Sequence, residues 1–61
     1  MKNLEGKRVQ MLSMKDPDPI QCGERGTVVF VDALNQIHVK WDNGRNLAIV
    51  PETDSFVILE G

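Results

Sequence analysis

Hydrophobic and polar residues alternate along several short stretches of the chain, a pattern typical of half-buried β-strands. Residues 7–14 place Val9 and Met11 on one side and Arg8 and Gln10 on the other. The alternation predicts a first strand with one buried face. A long loop with two prolines and a glycine follows over residues 15–25, where the prolines remove backbone donors and favour extended conformations.

A second strand is predicted over residues 26–31, a β-branched and aromatic run too short for a helix. Residues 33–36 turn the chain. The third predicted strand then alternates cleanly over residues 37–42, with three apolar side chains on one face and three polar side chains on the other: Ile37, Val39 and Trp41 against His38, Lys40 and Asp42.

The strongest local signal is the pair Asn43-Gly44, because both residues tolerate positive φ angles. It predicts a two-residue type I′ hairpin that leads into a fourth strand over residues 46–49. Pro51 ends that strand by denying the ladder a donor. A short 3₁₀ turn over residues 51–54 and a fifth strand over residues 55–59 complete the expectation.

This order of elements predicts an all-β protein and a single domain over residues 1–61. Five short strands, a long loop after the first, a tight hairpin between the third and fourth and a 3₁₀ turn before the fifth are typical of a small SH3-like barrel. Curling the sheet would also remove most exposed edges. An OB-fold is the alternative, although it usually needs a longer chain and a helix between strands.

Two segments, Gly23-Glu24-Arg25-Gly26-Thr27-Val28 and Ile37-His38-Val39-Lys40-Trp41-Asp42-Asn43-Gly44, together resemble a "GxxGTV…VxWDxG" pattern of small SH3-like modules. Further matching positions are Ser13-Met14, Leu47 and Asp54-Ser55-Phe56. With these, the stretch from about residue 5 to 59 resembles the family catalogued as domain of unknown function 4314. The resemblance implies an SH3-like fold and a setting in phages or mobile elements of bacteria. It implies no functional residues, because the family has no assigned activity.

The amino-acid composition limits which partners and which cellular compartment are expected for the protein. The net charge of −2 offers no overall attraction to a phosphate backbone. The single cysteine, Cys22, cannot form an internal disulfide, which favours a reducing, cytoplasmic setting. No run approaches the roughly 20 apolar residues that a membrane span needs, and the N-terminus lacks the apolar stretch of a signal peptide. We therefore expect neither a membrane segment nor export.

The residues capable of chemistry are too few to predict an enzyme. His38 is the only histidine, and no Ser, Cys or second His lies beside it in sequence to act as nucleophile or partner. Cys22 lies near Glu24 and Arg25, whose opposite charges leave no bias toward its thiolate. One Cys and one His are too few ligands for a structural zinc site. Asp16, Asp18 and Glu24 in the Pro-rich loop lack the ligand spacing of a calcium-binding loop. We expect no catalysis, no metal and no cofactor.

Two apolar features are left for a binding role. Trp41 alternates with the apolar residues of the third strand, so its ring either fills the core or lines a groove. In the second strand, Val28 and Phe30 share one face and Val29 and Val31 the other. Because a barrel has only one inside, either a bulge rotates this strand midway or apolar surface remains exposed for a partner.

The sequence therefore favours a non-catalytic protein-interaction module that binds a protein partner or forms a weak homodimer. The expected binding surface comprises the Pro-rich loop over residues 15–25, the turn over residues 33–36 and exposed parts of Phe30 or Trp41. The candidate binding residues are Val29, Phe30, Trp41, Arg25, Lys40 and Arg45. The alternative is a nucleic-acid-binding accessory protein, in which six basic residues cluster after folding: Lys7, Arg8, Lys15, Arg25, Lys40 and Arg45. An enzyme ranks third, and fold-level analogy alone separates the first two.

Overall fold

The chain folds into one antiparallel β-sheet in a computed structural model, which describes residues 4–59. The strands are β1 (Arg8–Ser13), β2 (Arg25–Val31), β3 (Ile37–Trp41) and β4 (Ser55–Leu59). Their order in the sheet is β3-β2-β1-β4. The prediction of an all-β chain is confirmed, and residues 4–59 contain no helix. The sheet is open, with β3 and β4 as its two edges.

The prediction of a fourth strand over residues 46–49 is wrong. This segment touches β3 only through isolated bridges, Lys40 to Asn46 and Ile37 to Ile49. Between the bridges, the indole Nε1–H of Trp41 donates to the carbonyl oxygen of Leu47 at 2.8 Å. The buried Trp41 side chain thus takes the Leu47 carbonyl, which would pair with the backbone of β3 if residues 46–49 formed a continuous strand. Residues 4–59 therefore contain four strands, not five.

The predicted two-residue hairpin at Asn43-Gly44 is also corrected. The N–H of Gly44 donates to the carbonyl of Trp41, and the N–H of Trp41 donates to the carbonyl of Arg45, so three residues form the loop. Gly44 has a φ of 93°, whereas Asn43 is not among the residues with positive φ. This combination is that of a type I turn followed by a left-handed residue. The N–H of Asp42, the first central residue of this turn, still donates to the carbonyl of Arg25 at the start of β2.

The predicted 3₁₀ turn over residues 51–54 is wrong as well. The N–H groups of Thr53 and Asp54 both donate to the carbonyl of Val50, which makes a local turn instead of successive 3₁₀ bonds. The Asp54 carboxylate, 8% exposed, accepts the N–H of Val50 and the N–H of Lys15, each at 2.9 Å. A buried carboxylate needs such donors to offset its desolvation. Asp54 thereby joins the turn to the start of the long loop.

One face of the sheet carries the core. The alternation predicted for β1 and β3 is confirmed, since the residues predicted to point inward are buried. The buried hydrophobic residues are Val9, Met11, Ile20, Val28, Ile37, Val39, Trp41 and Ile49. Ile20 comes from the Pro-rich loop and Ile49 from the segment beside β3, so two non-strand segments cover the open face.

Gly26 lies where the strands β2 and β3 leave no room for a Cβ atom. It pairs with Trp41, and a Cβ atom at this position would lie 2.6 Å from Val39 Cγ1 and 2.8 Å from the carbonyl oxygen of Lys40. The second contact is with backbone, which moves only if the strands separate. The glycine of the sequence pattern is therefore explained by packing between two strands.

We predict that Gly26→Ala lowers the free energy of unfolding by about 1–3 kcal/mol, the usual cost of overpacking a close contact. Chemical denaturation of the variant beside the parent measures it. Gln21→Ala, in an exposed loop position, is the control and should change stability by no more than about 0.5 kcal/mol. Equal stability of Gly26→Ala and the parent would show that β2 and β3 lie further apart than described.

Candidate interaction surface

A β-bulge divides β2 into two halves. Val28 pairs with Val39 and Phe30 pairs with His38, which leaves Val29 as an extra residue without a partner on β3. Val28 is 2% exposed, whereas Val29 is 54% and Phe30 42% exposed. The sequence predicted either a bulge or exposed apolar surface in this strand, and the structure has both.

The bulge decides which way Phe30 points. In a regular strand, residues two apart share a face, so Phe30 would lie on the buried side with Val28. The extra residue shifts Phe30 to the opposite face, beside His38. Their rings stack with centroids 4.2 Å apart and planes 5° from parallel. The predicted outward direction of His38 is confirmed, because its side chain remains 37% exposed.

Asp32 fixes this stack in place. The Nε2–H of His38 donates to Asp32 Oδ2 at 2.9 Å, and Oδ1 accepts the N–H groups of Leu34 and Gln36. The hydrogen bond from His38, followed by that from Gln36, lowers the pKa of Asp32 below its ordinary value of 3.8. Sequence reasoning missed this residue. The available signal was an Asp that begins a turn, a position that favours bonds to backbone N–H groups two to four residues on.

A groove of about 190 Å³ lies beside the stack. Its walls include Val29, Phe30 and His38 on one side and Leu47 and Ala48 on the other. It occurs where residues 47 and 48 separate from β3 between the two bridges. The groove thus depends on the bulge for one wall and on the interrupted pairing of residues 46–49 for the other.

Trp41 lies in the core and not at the surface, with 1% of its area exposed. Of the two roles left open for it, the structure has the core-filling one, so the ring is not part of the exposed surface. Trp41 still affects the groove, because its indole N–H holds the Leu47 carbonyl that helps to place the second wall.

The three basic candidates are not brought together. Lys40 is exposed and shares the outer sheet face with His38, two residues away on β3. Arg25 lies further along that face, where its Nε–H donates to Gln10 Oε1 at 3.0 Å. Arg45 instead donates to the carbonyl oxygens of Asp18 and Pro19, and so holds the Pro-rich loop.

The outer face also carries a two-point ion pair between Arg8 and Asp42. The guanidinium donates to both carboxylate oxygens, at 2.9 Å and 2.6 Å, and to Thr27 Oγ1 at 3.0 Å. The hydrogen bond from Arg8 lowers the pKa of Asp42 and raises the pKa of Arg8. This pair links β1 and β2 to the end of β3. Arg8, one of the six basic residues, is thus already paired with a carboxylate of the same chain.

Residues 4–59 hold no group of three or more His, Cys, Asp and Glu side chains arranged to bind a metal ion. The same residues also form no helix that is long and apolar enough to cross a membrane.

The sequence pattern of the family described as domain of unknown function 4314 matches residues 2–59. The chain belongs to this DUF4314 family. The match covers nearly the whole chain and confirms the family resemblance noted from the sequence. No curated protein and no solved structure is significantly similar to the chain. The candidate site of this DUF4314 protein therefore rests on the geometry of the chain itself.

We predict that the stability contributed by Asp32 and Asp42 is lost in acid. Both have folded-state pKa values lowered below 3.8 by hydrogen bonds that need the carboxylate. Their stabilisation is fully present above the unfolded pKa, near pH 4, and disappears as pH falls through the lowered folded values. Thermal melting of the parent and Asp32→Asn between about pH 2 and 7 should show a difference that shrinks below about pH 4. A difference that stays constant over this range would contradict the assigned hydrogen bonds.

Proposed function

We propose that this DUF4314 protein is a non-catalytic interaction module that binds a protein partner through the groove beside the Phe30–His38 stack. The observation that carries the proposal is the bulge, which places Val29 and Phe30 side by side on the surface. In a 61-residue chain with few apolar residues to bury, exposing two large ones at one site gives up stability. Exposed apolar patches beside a groove are typical of binding sites.

The site is also held rigid before any partner arrives. Asp32 fixes His38 through a 2.9 Å hydrogen bond, and His38 in turn supports the Phe30 ring. A side chain that is already ordered loses less conformational entropy on binding. Aromatic anchors of this kind are where binding energy concentrates in protein interfaces.

The dimensions favour a protein partner over a small-molecule substrate. The groove volume of about 190 Å³ is smaller than the roughly 300–1,000 Å³ that is typical of small-molecule pockets. It suits an apolar side chain projecting from a partner's segment, with Asn46 and the nearby Lys40 available to its backbone or to polar groups. The same dimensions support the proposal that the chain is not an enzyme.

The wider setting is part of the proposal. An SH3-like barrel is supported by the strand connectivity, since residues 46–49 lie beside β3 where a further strand would lie. A cytoplasmic, reducing compartment is supported by Cys22, which is a free and exposed thiol. A phage or mobile element as the genetic source rests on the family resemblance.

A single-stranded nucleic acid is the second candidate partner. The observation in its favour is that the Phe30–His38 stack shares the outer sheet face with Lys40 and Arg25, since stacked aromatics beside basic residues bind bases and phosphates. Against it, Arg8 is neutralised by Asp42, Arg45 is bound to loop carbonyls, and the net charge is −2. The geometry therefore favours a protein.

We predict that Phe30→Ala weakens partner binding much more than it weakens folding. A library of displayed random peptides, selected on the immobilised protein, should yield segments with an apolar anchor. For such a peptide, Phe30→Ala should raise Kd by about tenfold or more, as expected for an interface anchor. The free energy of unfolding should fall by less than about 1.5 kcal/mol, the scale of a lost aromatic pair.

Val28→Ala is the matched control, because Val28 precedes the bulge and is buried. It should destabilise the fold by about 2 kcal/mol and leave the Kd of the folded fraction unchanged. If Phe30→Ala instead costs about 3 kcal/mol or more in stability with no loss of affinity, Phe30 is a core residue and the site is wrong. Sub-micromolar binding of a single-stranded oligonucleotide that weakens steeply with salt would put the nucleic-acid candidate first.

A further inference from the structure

The strand β4 has a free edge. It pairs with β1, and no other segment of residues 4–59 pairs along its outer side. The opposite edge of the sheet differs, because residues 46 and 49 bridge to β3 there. An unpaired edge presents backbone donors and acceptors that another extended strand can satisfy.

The register shows which backbone groups face outward from β4. The N–H of Met11 donates to the carbonyl of Glu24, and its carbonyl accepts the N–H of Gly23, so the peptide groups of Met11 point toward β2. The N–H and C=O groups of successive residues in a strand point to opposite sides, so the N–H and C=O groups of Gln10 point toward β4. Gln10 lies opposite Val57. The N–H and C=O groups of the next residues on either side, Phe56 and Ile58, therefore point to the free edge.

The side chains of β4 limit what can pair with it. β4 reads Ser-Phe-Val-Ile-Leu and is the only one of the four strands without a charged residue, since the others contain Arg8, Arg25 and Lys40. Edge strands usually carry charges or proline that discourage pairing between copies. Val57 and Ile58 are 40% and 38% exposed, on opposite faces of the strand. The matching partner is an uncharged apolar strand, and within the described chain β4 alone meets that requirement.

We propose that two copies of this protein associate by antiparallel pairing of their β4 strands about a twofold axis at Val57. In this register, Phe56 lies opposite Ile58 of the partner subunit, and Ile58 lies opposite Phe56 of the partner subunit. Both residues have outward-facing N–H and C=O groups, so both pairs form two hydrogen bonds each. Val57 faces Val57 of the partner subunit across the axis.

The side chains support the same register. Phe56, which packs partly against the core, would contact Ile58 of the partner subunit on the inner face, and two exposed valines would meet on the outer face. The contact is isologous, so it uses both β4 edges and closes at two copies. With only five residues from each chain, the dimer belongs to the small, concentration-dependent class of interfaces. It does not involve the groove at Phe30.

A cross-linking experiment tests the axis. In the full chain with Cys22→Ser, Val57→Cys would place two thiols in a non-hydrogen-bonded pair, where Cα atoms about 4.5 Å apart fall within the range of a disulfide. Glutathione redox buffer should convert most of this variant to a covalent dimer. The control is Val29→Cys in the same background, which is more exposed but lies at the groove. It should stay mostly monomeric. Equal or greater cross-linking of the control would overturn the proposal.

A charge-exchange experiment tests the same contact without oxidation. Val57→Lys and Val57→Glu should each weaken self-association by about tenfold or more, because like charges meet at the axis. An equimolar mixture should restore the dimer as a heterodimer in sedimentation equilibrium. Circular dichroism confirms that each variant is folded, as its exposed position suggests. A parent chain that remains monomeric at millimolar concentration, or a mixture that does not associate, would refute the β4 dimer.

Discussion

One extra residue in β2 determines how this small sheet uses its apolar side chains. The strand has too many apolar residues for one buried face, and the bulge at Val29 resolves the conflict by ending the buried pattern at Val28. Beyond it, Phe30 lies on the outer face against His38. The core is consequently completed by residues from outside the strands, Ile20 and Ile49, and two large apolar side chains, Val29 and Phe30, lie together on the surface.

Hydrogen bonds of two buried side chains, Asp54 and Trp41, hold the non-strand segments on that core. The buried Asp54 carboxylate accepts N–H groups from Lys15 and Val50, and so fixes the long loop and the last turn together. The Trp41 indole donates to Leu47, which positions the segment beside β3. A small domain buries little apolar surface, so such polar contacts contribute stability that a larger domain would obtain from its hydrophobic core. The groove is a consequence of this second contact and of the bulge.

The sequence predicted the features that depend on local pattern. Alternation over residues 37–41 predicted the buried face of β3, and the apolar run in β2 predicted either a bulge or exposed apolar surface, both of which the structure has. The position of the bend at Asn43-Gly44 was correct. Its type was not, because Asp42 is held by Arg8 and by the carbonyl of Arg25, both distant in sequence.

The remaining features depend on contacts that no local pattern encodes. The strand expected at residues 46–49 is interrupted by a tryptophan from another element, and Ile20 is buried although it lies in a Pro-rich loop. The role of Asp32 combines a turn with a histidine on the next strand. The turn at Asp32 has a local signal in the sequence, but its bond with His38 and the other contacts form only once the sheet is assembled.

Proton NMR of the free protein can show directly whether the bulge places Phe30 on the outer face against His38. We expect strong nuclear Overhauser effects between the Phe30 and His38 ring protons, upfield ring-current shifts of the His38 resonances, and loss of both when Val29 is deleted. Strong Overhauser effects from Phe30 to Val9, Met11 or Ile49 would instead place its ring in the core, and the bulge would not have turned it outward.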